Sequence, residues 1–192
     1  MNSEMEQIPG FLYFDHVAVS VKIGELEDQV SAYKTMGFKE MHREDILGTD
    51  QVREVIMQVG NGPNLIQLIE PLNDQSPVAK QLEKNGGRGG IVHVALRVAD
   101  IQKAFDYLQQ NGFRLVEKAP RKGSRGTMVF FVHPKATEKV AFGYLIEVVQ
   151  EGNAHVCPRI KLKRIESGQR VPRSLHRGMG NGDCEGSQGR GL

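Results

Sequence analysis

The 192-residue sequence has no tryptophan, only 6% aromatic residues and two cysteines, and each scarcity argues against a class of protein. A site that stacks a large flat ligand needs aromatic side chains, so a protein that sequesters such molecules is disfavoured. Cys157 and Cys184 both lie beyond the last predicted strand, so we expect no disulfide framework. A reducing compartment is then the default, either the cytoplasm or, in a eukaryote, the mitochondrial matrix.

The sequence also lacks an excess of charge of either sign and a long apolar run. Its formal net charge is +2, which indicates neither a nucleic-acid nor an acidic partner. No stretch approaches the roughly 20 apolar residues of a membrane helix, so no membrane partner is expected. Residues 1–10 lack the basic start and apolar core of a secretory signal. We expect one globular domain at residues 12–150.

Beyond residue 150 the composition changes. Lysine and arginine are interspersed there with glycine, serine and proline, and apolar periodicity fades. Such a segment cannot bury enough apolar surface to offset the loss of chain entropy, so residues 151–192 are predicted to be a basic, disordered tail. A nucleic-acid role for the tail is disfavoured because no aromatic residues are interleaved with the cations.

What the sequence does contain is an internal repeat. Residues 14–21, FDHVAVSV, return as residues 91–98, IVHVALRV, and each copy alternates as a strand with a histidine near its start. An amphipathic helix pattern follows each copy. His16 and His93 are therefore expected on equivalent faces of two related strands.

Each copy continues through three further predicted strands, and a short helix after Ser76 links the copies. The strands are predicted at residues 39–45, 52–59 and 65–69 in the first copy and at 114–118, 127–132 and 143–150 in the second, with a basic loop at 120–126. The order predicts an α+β fold in which two tandem β-α-β-β-β modules form one curved mixed sheet. The modules are residues 12–70 and 91–150, and residues 71–90 form the linker.

Two polar residues interrupt the apolar closing strands of the modules, Gln67 in the first and Glu147 in the second. Burying an amide or a carboxylate without a partner is costly, so each should meet a structural partner or a ligand. With His16 and His93 they can place four donors around a pseudo-twofold axis, a set that suits a divalent transition ion. For any one of the four alone, a satisfied core residue is the better interpretation; for the matched set, the metal site is.

The sequence resembles the vicinal oxygen chelate superfamily, and in particular its methylmalonyl-CoA epimerase family. The similarity extends from about Leu12 to Gln150 and is carried by residues 15–18 (DHVA), 41–44 (MHRE), 52–57 (VREVIM), 71–80 (PLNDQSPVAK) and 133–135 (HPK). The resemblance implies metal-dependent epimerisation of (2R)- and (2S)-methylmalonyl-CoA. It implies one bound divalent ion, for which cobalt is favoured and manganese, magnesium, zinc and nickel are alternatives. The implied ligands are His16, Gln67, His93 and Glu147, and the implied general base is Glu54.

A 1,1-proton transfer requires a base, a charge sink for the enolate and an acid on the opposite face. With neutral Gln67 as a ligand, a bound divalent ion keeps about one net positive charge to attract an anionic substrate. Glu54 is the candidate base, and an exposed strand glutamate paired with Arg53 or a neighbour is the alternative. Glu147 is the candidate second acid, although a metal-bound carboxylate is a poor proton donor.

The basic loop offers cations for the phosphates of CoA, and a solvated loop is the alternative. Its candidate contacts are Arg121, Lys122, Ser124 and Arg125. An acyl-CoA thioester is thus the expected partner, and a homodimer is expected from the similarity. Two other classes stay open: another metalloenzyme of the superfamily, such as a glyoxalase or an extradiol dioxygenase, and a metal-free resistance protein that binds a small molecule. His42 is interpreted as a surface residue.

Overall fold

A computed structural model describes residues 8–150, and within them eight strands and three α-helices form one curved mixed sheet with its packing helices. The strands are β1 Phe11–Ser20, β2 Lys39–Ile46, β3 Val52–Gln58, β4 Leu65–Pro71, β5 Gly90–Val98, β6 Arg121–Lys122, β7 Met128–Val132 and β8 Leu145–Gln150. The helices are α1 Leu26–Thr35, α2 Pro77–Lys84 and α3 Ile101–Gln110. The predicted α+β fold with two β-α-β-β-β modules is confirmed.

The two modules join through their first strands at the centre of the sheet. The strand order is β2-β3-β4-β1-β5-β8-β7-β6, with β1 and β5 antiparallel. Within each module the closing strand lies parallel to the first one, β4 beside β1 and β8 beside β5. We call the pairing of β1 with β5 the seam between the modules. Each module places its first strand at the seam and its last strand beside that strand, where their side chains can meet those of the other module.

Alternation along the strands separates a helix-covered face from an inner face. On β3, Val55 and Met57 pack against α1, and on β7, Phe130 packs against α3 with its ring 5.1 Å from that of Phe105. The intervening residues, such as Glu54 and Ile56, point to the other face. Helix α2 begins at its predicted residue, because the Ser76 hydroxyl accepts a hydrogen bond from the Val78 N–H at 3.2 Å.

The strand predicted at residues 114–118 is wrong. That segment forms an isolated bridge, Leu115 to Val132, with flanking backbone hydrogen bonds from Arg114 and Val116, and not a strand. A two-residue strand, β6, forms inside the predicted loop instead. The reason is that one edge of the five-residue strand β7 pairs with β8, and two segments divide the other edge between them. Leu115 takes the end of β7 at Val132, and Arg121 pairs with Val129 near its start.

The predicted tail at residues 151–192 lies outside the described residues. Within residues 8–150, no helix is both long enough and apolar enough to cross a membrane.

Candidate functional site

The antiparallel pairing of β1 and β5 brings the two repeated histidines together on the inner face. His16 lies opposite Ala95, and His93 lies opposite Ala18, so each histidine neighbours the small residue that follows the other one. The two Nε2 atoms are 3.0 Å apart. Both alanines are fully buried, and their methyl groups leave the space that the two imidazoles fill.

The closing strands add one oxygen donor from each module. Gln67 on β4 lies beside Ala18, and Glu147 on β8 lies beside Ala95, so the two modules present their donors in the same register. All four predicted ligand residues therefore stand on the four central strands and face the same side.

Three of these donors have the spacing of ligands on one ion. The Oε2 atom of Glu147 is 3.2 Å from Nε2 of His16 and 3.5 Å from Nε2 of His93. Donors about 2.1 Å from a metal lie about 3.0 Å apart in an octahedral arrangement and about 3.4 Å apart in a tetrahedral one. The fourth donor, the Oε1 atom of Gln67, is buried and has no hydrogen-bond partner among residues 8–150. The set fits a divalent ion.

Gln67 also contacts the candidate base. Its Nε2 donates a hydrogen bond to Oε2 of Glu54, which turns the amide so that its oxygen is left for another partner. Glu54 is 0% exposed, and burial raises its pKa, although the charge of Arg125 acts in the opposite direction. The alternative of an exposed glutamate paired with Arg53 is wrong, because Arg53 pairs with Asp45 at 2.7 Å.

The two histidines have different electrostatic surroundings. Burial alone lowers the pKa of His16, but its hydrogen bonds with Asp15 and Glu147, and their negative charges, raise that pKa to about 9. For His93, burial outweighs the charge of Glu147 and lowers the pKa to about 4. Hydrogen bonding with His16 and the charges of both imidazoles overcome burial and lower the pKa of Glu147. The surroundings therefore favour the charged form of His16 and disfavour that of His93.

His42 and Glu44, which the sequence interpretation did not assign to the site, lie beside Glu54 on the inner face. Glu44 stands opposite Glu54 across β2 and β3, and its Oε1 is 3.2 Å from Nε2 of His42. Side-chain nitrogen or oxygen atoms of the three residues all lie within 4.8 Å of one another. The alternation of β2, in which Met41 and Arg43 face outward, was the signal that could have found His42.

The basic loop reaches across the seam to the first module. The backbone N–H of Arg125 donates a hydrogen bond to Glu44 at 2.8 Å, and its guanidinium lies 3.7 Å from Asp15.

Arg121 contacts Asp50 at 3.3 Å and covers the ring of Phe131. Ser124 lies close enough to Glu54 to lower its pKa against burial, and Lys122 is exposed. Contact of these residues with CoA stays a prediction.

Comparison with known proteins adds to this geometry. Residues 15–131 match the Glyoxalase/Bleomycin resistance protein/Dioxygenase superfamily. The chain is 30% identical to the mitochondrial methylmalonyl-CoA epimerase of Dictyostelium discoideum, over 71% of this chain and 77% of that one. It is 33% identical to the ethylmalonyl-CoA/methylmalonyl-CoA epimerase of Cereibacter sphaeroides, over 71% and 96%. The chain belongs to this superfamily and to its methylmalonyl-CoA epimerase family.

A solved structure agrees with that membership. A variant of the Streptomyces coelicolor methylmalonyl-CoA epimerase in complex with 2-nitronate-propionyl-CoA superposes with a TM-score of 0.66 at 29% identity, covering 75% of this chain and 99% of that one. The resemblance seen in the sequence is confirmed, and the chain is an isomerase of the methylmalonyl-CoA epimerase family.

Proposed function

We propose that this enzyme interconverts (2R)- and (2S)-methylmalonyl-CoA by 1,1-proton transfer, with one divalent ion held by His16, Gln67, His93 and Glu147. The observation that carries the proposal is the amide of Gln67, which is hydrogen-bonded to buried Glu54 through its nitrogen and, within the described part of the chain, unpartnered at its oxygen. One residue thus links the candidate base to the metal site. The family resemblance makes cobalt the favoured ion, with manganese, magnesium, zinc or nickel as alternatives.

The metal-binding residues and the base divide the chemistry between them. A divalent ion, when bound, supplies a Lewis acid for the thioester and carboxylate oxygens of a malonyl group, where the enolate charge develops. Glu54 holds and moves the proton at its carboxylate, because burial makes this group more basic than an exposed glutamate. Its Oε1 has no hydrogen-bond partner within the described residues and is free to accept the α-proton.

Glu147 is the proposed acid for the opposite face of the substrate. It belongs to the second module, whereas Glu54 belongs to the first, so the two carboxylates approach the site from different halves of the sheet. The neighbouring imidazoles of His16 and His93 stabilise its charged form, which favours Glu147 as a ligand, so its role as the acid requires that a proton reach it during turnover.

We further propose an acyl-CoA thioester as the partner, with its phosphates near the basic loop. Lys122 is exposed and needs no rearrangement to meet a phosphate, whereas Arg121 and Arg125 must be shared with carboxylates. A homodimer is proposed because Phe11, Leu12 and Phe14 expose large apolar side chains at the start of β1. We place the enzyme in the cytoplasm or the mitochondrial matrix.

An extradiol dioxygenase is the one alternative that the donor set favours, because His16, His93 and Glu147 alone form a two-histidine, one-carboxylate set. Such an enzyme leaves Gln67 and buried Glu54 without a role. The epimerase proposal gives both residues a function.

The test is incorporation of solvent deuterium at the α-carbon of methylmalonyl-CoA. The metal-loaded enzyme, its chelated form and Glu54→Gln are compared, with Asp45→Asn as a matched control because Asp45 is an exposed strand carboxylate paired with Arg53. Exchange that requires both metal and Glu54, and that Asp45→Asn retains, supports the proposal. Absence of exchange in the metal-loaded wild-type enzyme refutes it.

A further inference from the structure

The two modules repeat their first histidine but not the residues around it. His16 and His93 are 77 residues apart, and at that offset Asp15 corresponds to Val92 and Arg97 corresponds to Ser20. The first module therefore has a carboxylate before its histidine where the second has an apolar residue. The second module supplies an arginine where the first has a serine. Both departures from the repeat meet at His16.

A β-bulge turns Asp15 toward its own neighbour. Phe14 pairs with Leu96 and His16 pairs with Ala95, so one extra residue, Asp15, is accommodated on β1. In a regular strand, adjacent side chains point to opposite faces and cannot contact each other closely. Here both Asp15 and His16 are 1% exposed, and Oδ1 of Asp15 lies 2.8 Å from Nδ1 of His16.

Arg97 fixes the other oxygen of this carboxylate. Its Nε donates to Oδ2 of Asp15 at 2.7 Å, and its Nη2 lies 2.6 Å from the same atom. Arg97 is itself buried and comes from the strand of the second module that carries His93. The guanidinium holds Asp15 so that Oδ1 remains for the imidazole. Because a carboxylate only accepts, Nδ1 of His16 carries the hydrogen.

The hydrogen bond from Nδ1 of His16 to Asp15 decides where Nε2, the other ring nitrogen, points. With Nδ1 donating to Asp15, Nε2 of His16 is the atom that faces Nε2 of His93 and the carboxylate of Glu147. The ring plane and the choice of nitrogen are thus set before any ion binds. The side chain of Val92 offers His93 no such acceptor, and His93 meets the rings of Phe131 and His16 edge-on.

We propose that Asp15 and Arg97 are positioning residues that orient His16 as the fixed metal ligand, while His93 is the adaptable one. Carboxylate partners of metal-bound histidines fix ring orientation and raise ligand basicity, and their loss commonly costs about 10- to 100-fold in metal affinity. This inference rests on the proposed ligand set and not on the proposed reaction.

The experiment measures Co2+ affinity by visible absorption in competition with a chelator, using the full chain. Asp15→Asn should bind Co2+ about 10- to 100-fold more weakly than wild type and shift the absorption bands of the bound ion. Arg97→Lys, which keeps the charge but loses the two N–H groups aimed at one oxygen, should weaken binding several-fold. Asp45→Asn is the control, because Asp45 is an exposed carboxylate paired with Arg53.

The outcomes separate this inference from the proposed function. If Asp15→Asn and Arg97→Lys both bind Co2+ within twofold of wild type and with unchanged bands, the pair is only structural and the inference is overturned. The same holds if urea unfolding of the metal-free variants shows lost stability without lost affinity. A wild-type protein that binds no Co2+ refutes the ligand set itself. Weakened Co2+ binding in both variants supports the inference even in an enzyme that fails to exchange the α-proton.

Discussion

Removing the metal and then raising the pH from 6.5 to 9 should lower the free energy of unfolding by up to about 3 kcal/mol. The perturbation acts on His16, whose pKa rises from 6.5 to about 9 in the folded protein. Below pH 6.5 the imidazolium is present in both folded and unfolded chains, and its contacts with Asp15 and Glu147 stabilise the fold in full. Above 6.5 the unfolded chain loses this proton first, so stability falls until the folded protein loses it too, near pH 9.

The magnitude follows from the width of this window. One pKa unit corresponds to about 1.4 kcal/mol, so the slope should be about that much per pH unit across the window. Metal affinity has the opposite pH dependence and increases with pH, because an ion must displace the proton from His16. Metal affinity should therefore rise about tenfold per pH unit up to the pKa of His16.

The assay is urea unfolding of the chelator-treated protein at pH 6.5, 7.5, 8.5 and 9.5, with His16→Gln as the matched variant. Wild type should lose stability over the series, and His16→Gln should lose far less, because its side chain does not titrate. Asp15→Asn should have a shallower slope than wild type. Wild-type stability that is flat or rising over this range, or an equal fall in His16→Gln, would refute the reasoning.

Three further predictions concern the base, a close backbone approach and the core. Glu54→Gln should lower epimerase activity by about 10²- to 10⁴-fold, without lowering the urea midpoint at pH 7, because it removes a buried charge. Gly123→Ala should lose about 1–3 kcal/mol in urea unfolding, since its Cβ would lie 2.6 Å from a side-chain carbon of Val129. An alanine at Gly48 meets nothing within 4 Å and serves as its control. Phe130→Ala should lose about 3–5 kcal/mol, seen as a lower thermal midpoint.

The repeat made most of the fold predictable. Alternation and the matched histidines placed His16 and His93 on one face, and polar interruptions identified Gln67 and Glu147 as their companions. These signals lie within single strands, where a period of two decides which way a side chain points. The structure adds the register that brings the four together at the seam.

What escaped prediction depends on irregular backbone and on how strands pair with one another. Asp15 should face away from His16 by alternation, and only a bulge that no residue of β1 announces turns it inward. His42 reads as a surface residue until β2 is aligned with β3 beside Glu54. The short strand at Arg121 arises from competition for one edge of β7, which a local pattern cannot express.

The antiparallel seam between β1 and β5 has a consequence for how the molecule holds together. The first module supplies His16 and Gln67, and the second supplies His93 and Glu147. An ion bound by all four would therefore link the two modules, in addition to the backbone hydrogen bonds between β1 and β5. Neither half alone possesses the complete set. An ion could then bind with all four ligands only after both halves have folded and docked. The ion should therefore promote the association of two separately produced halves of the chain.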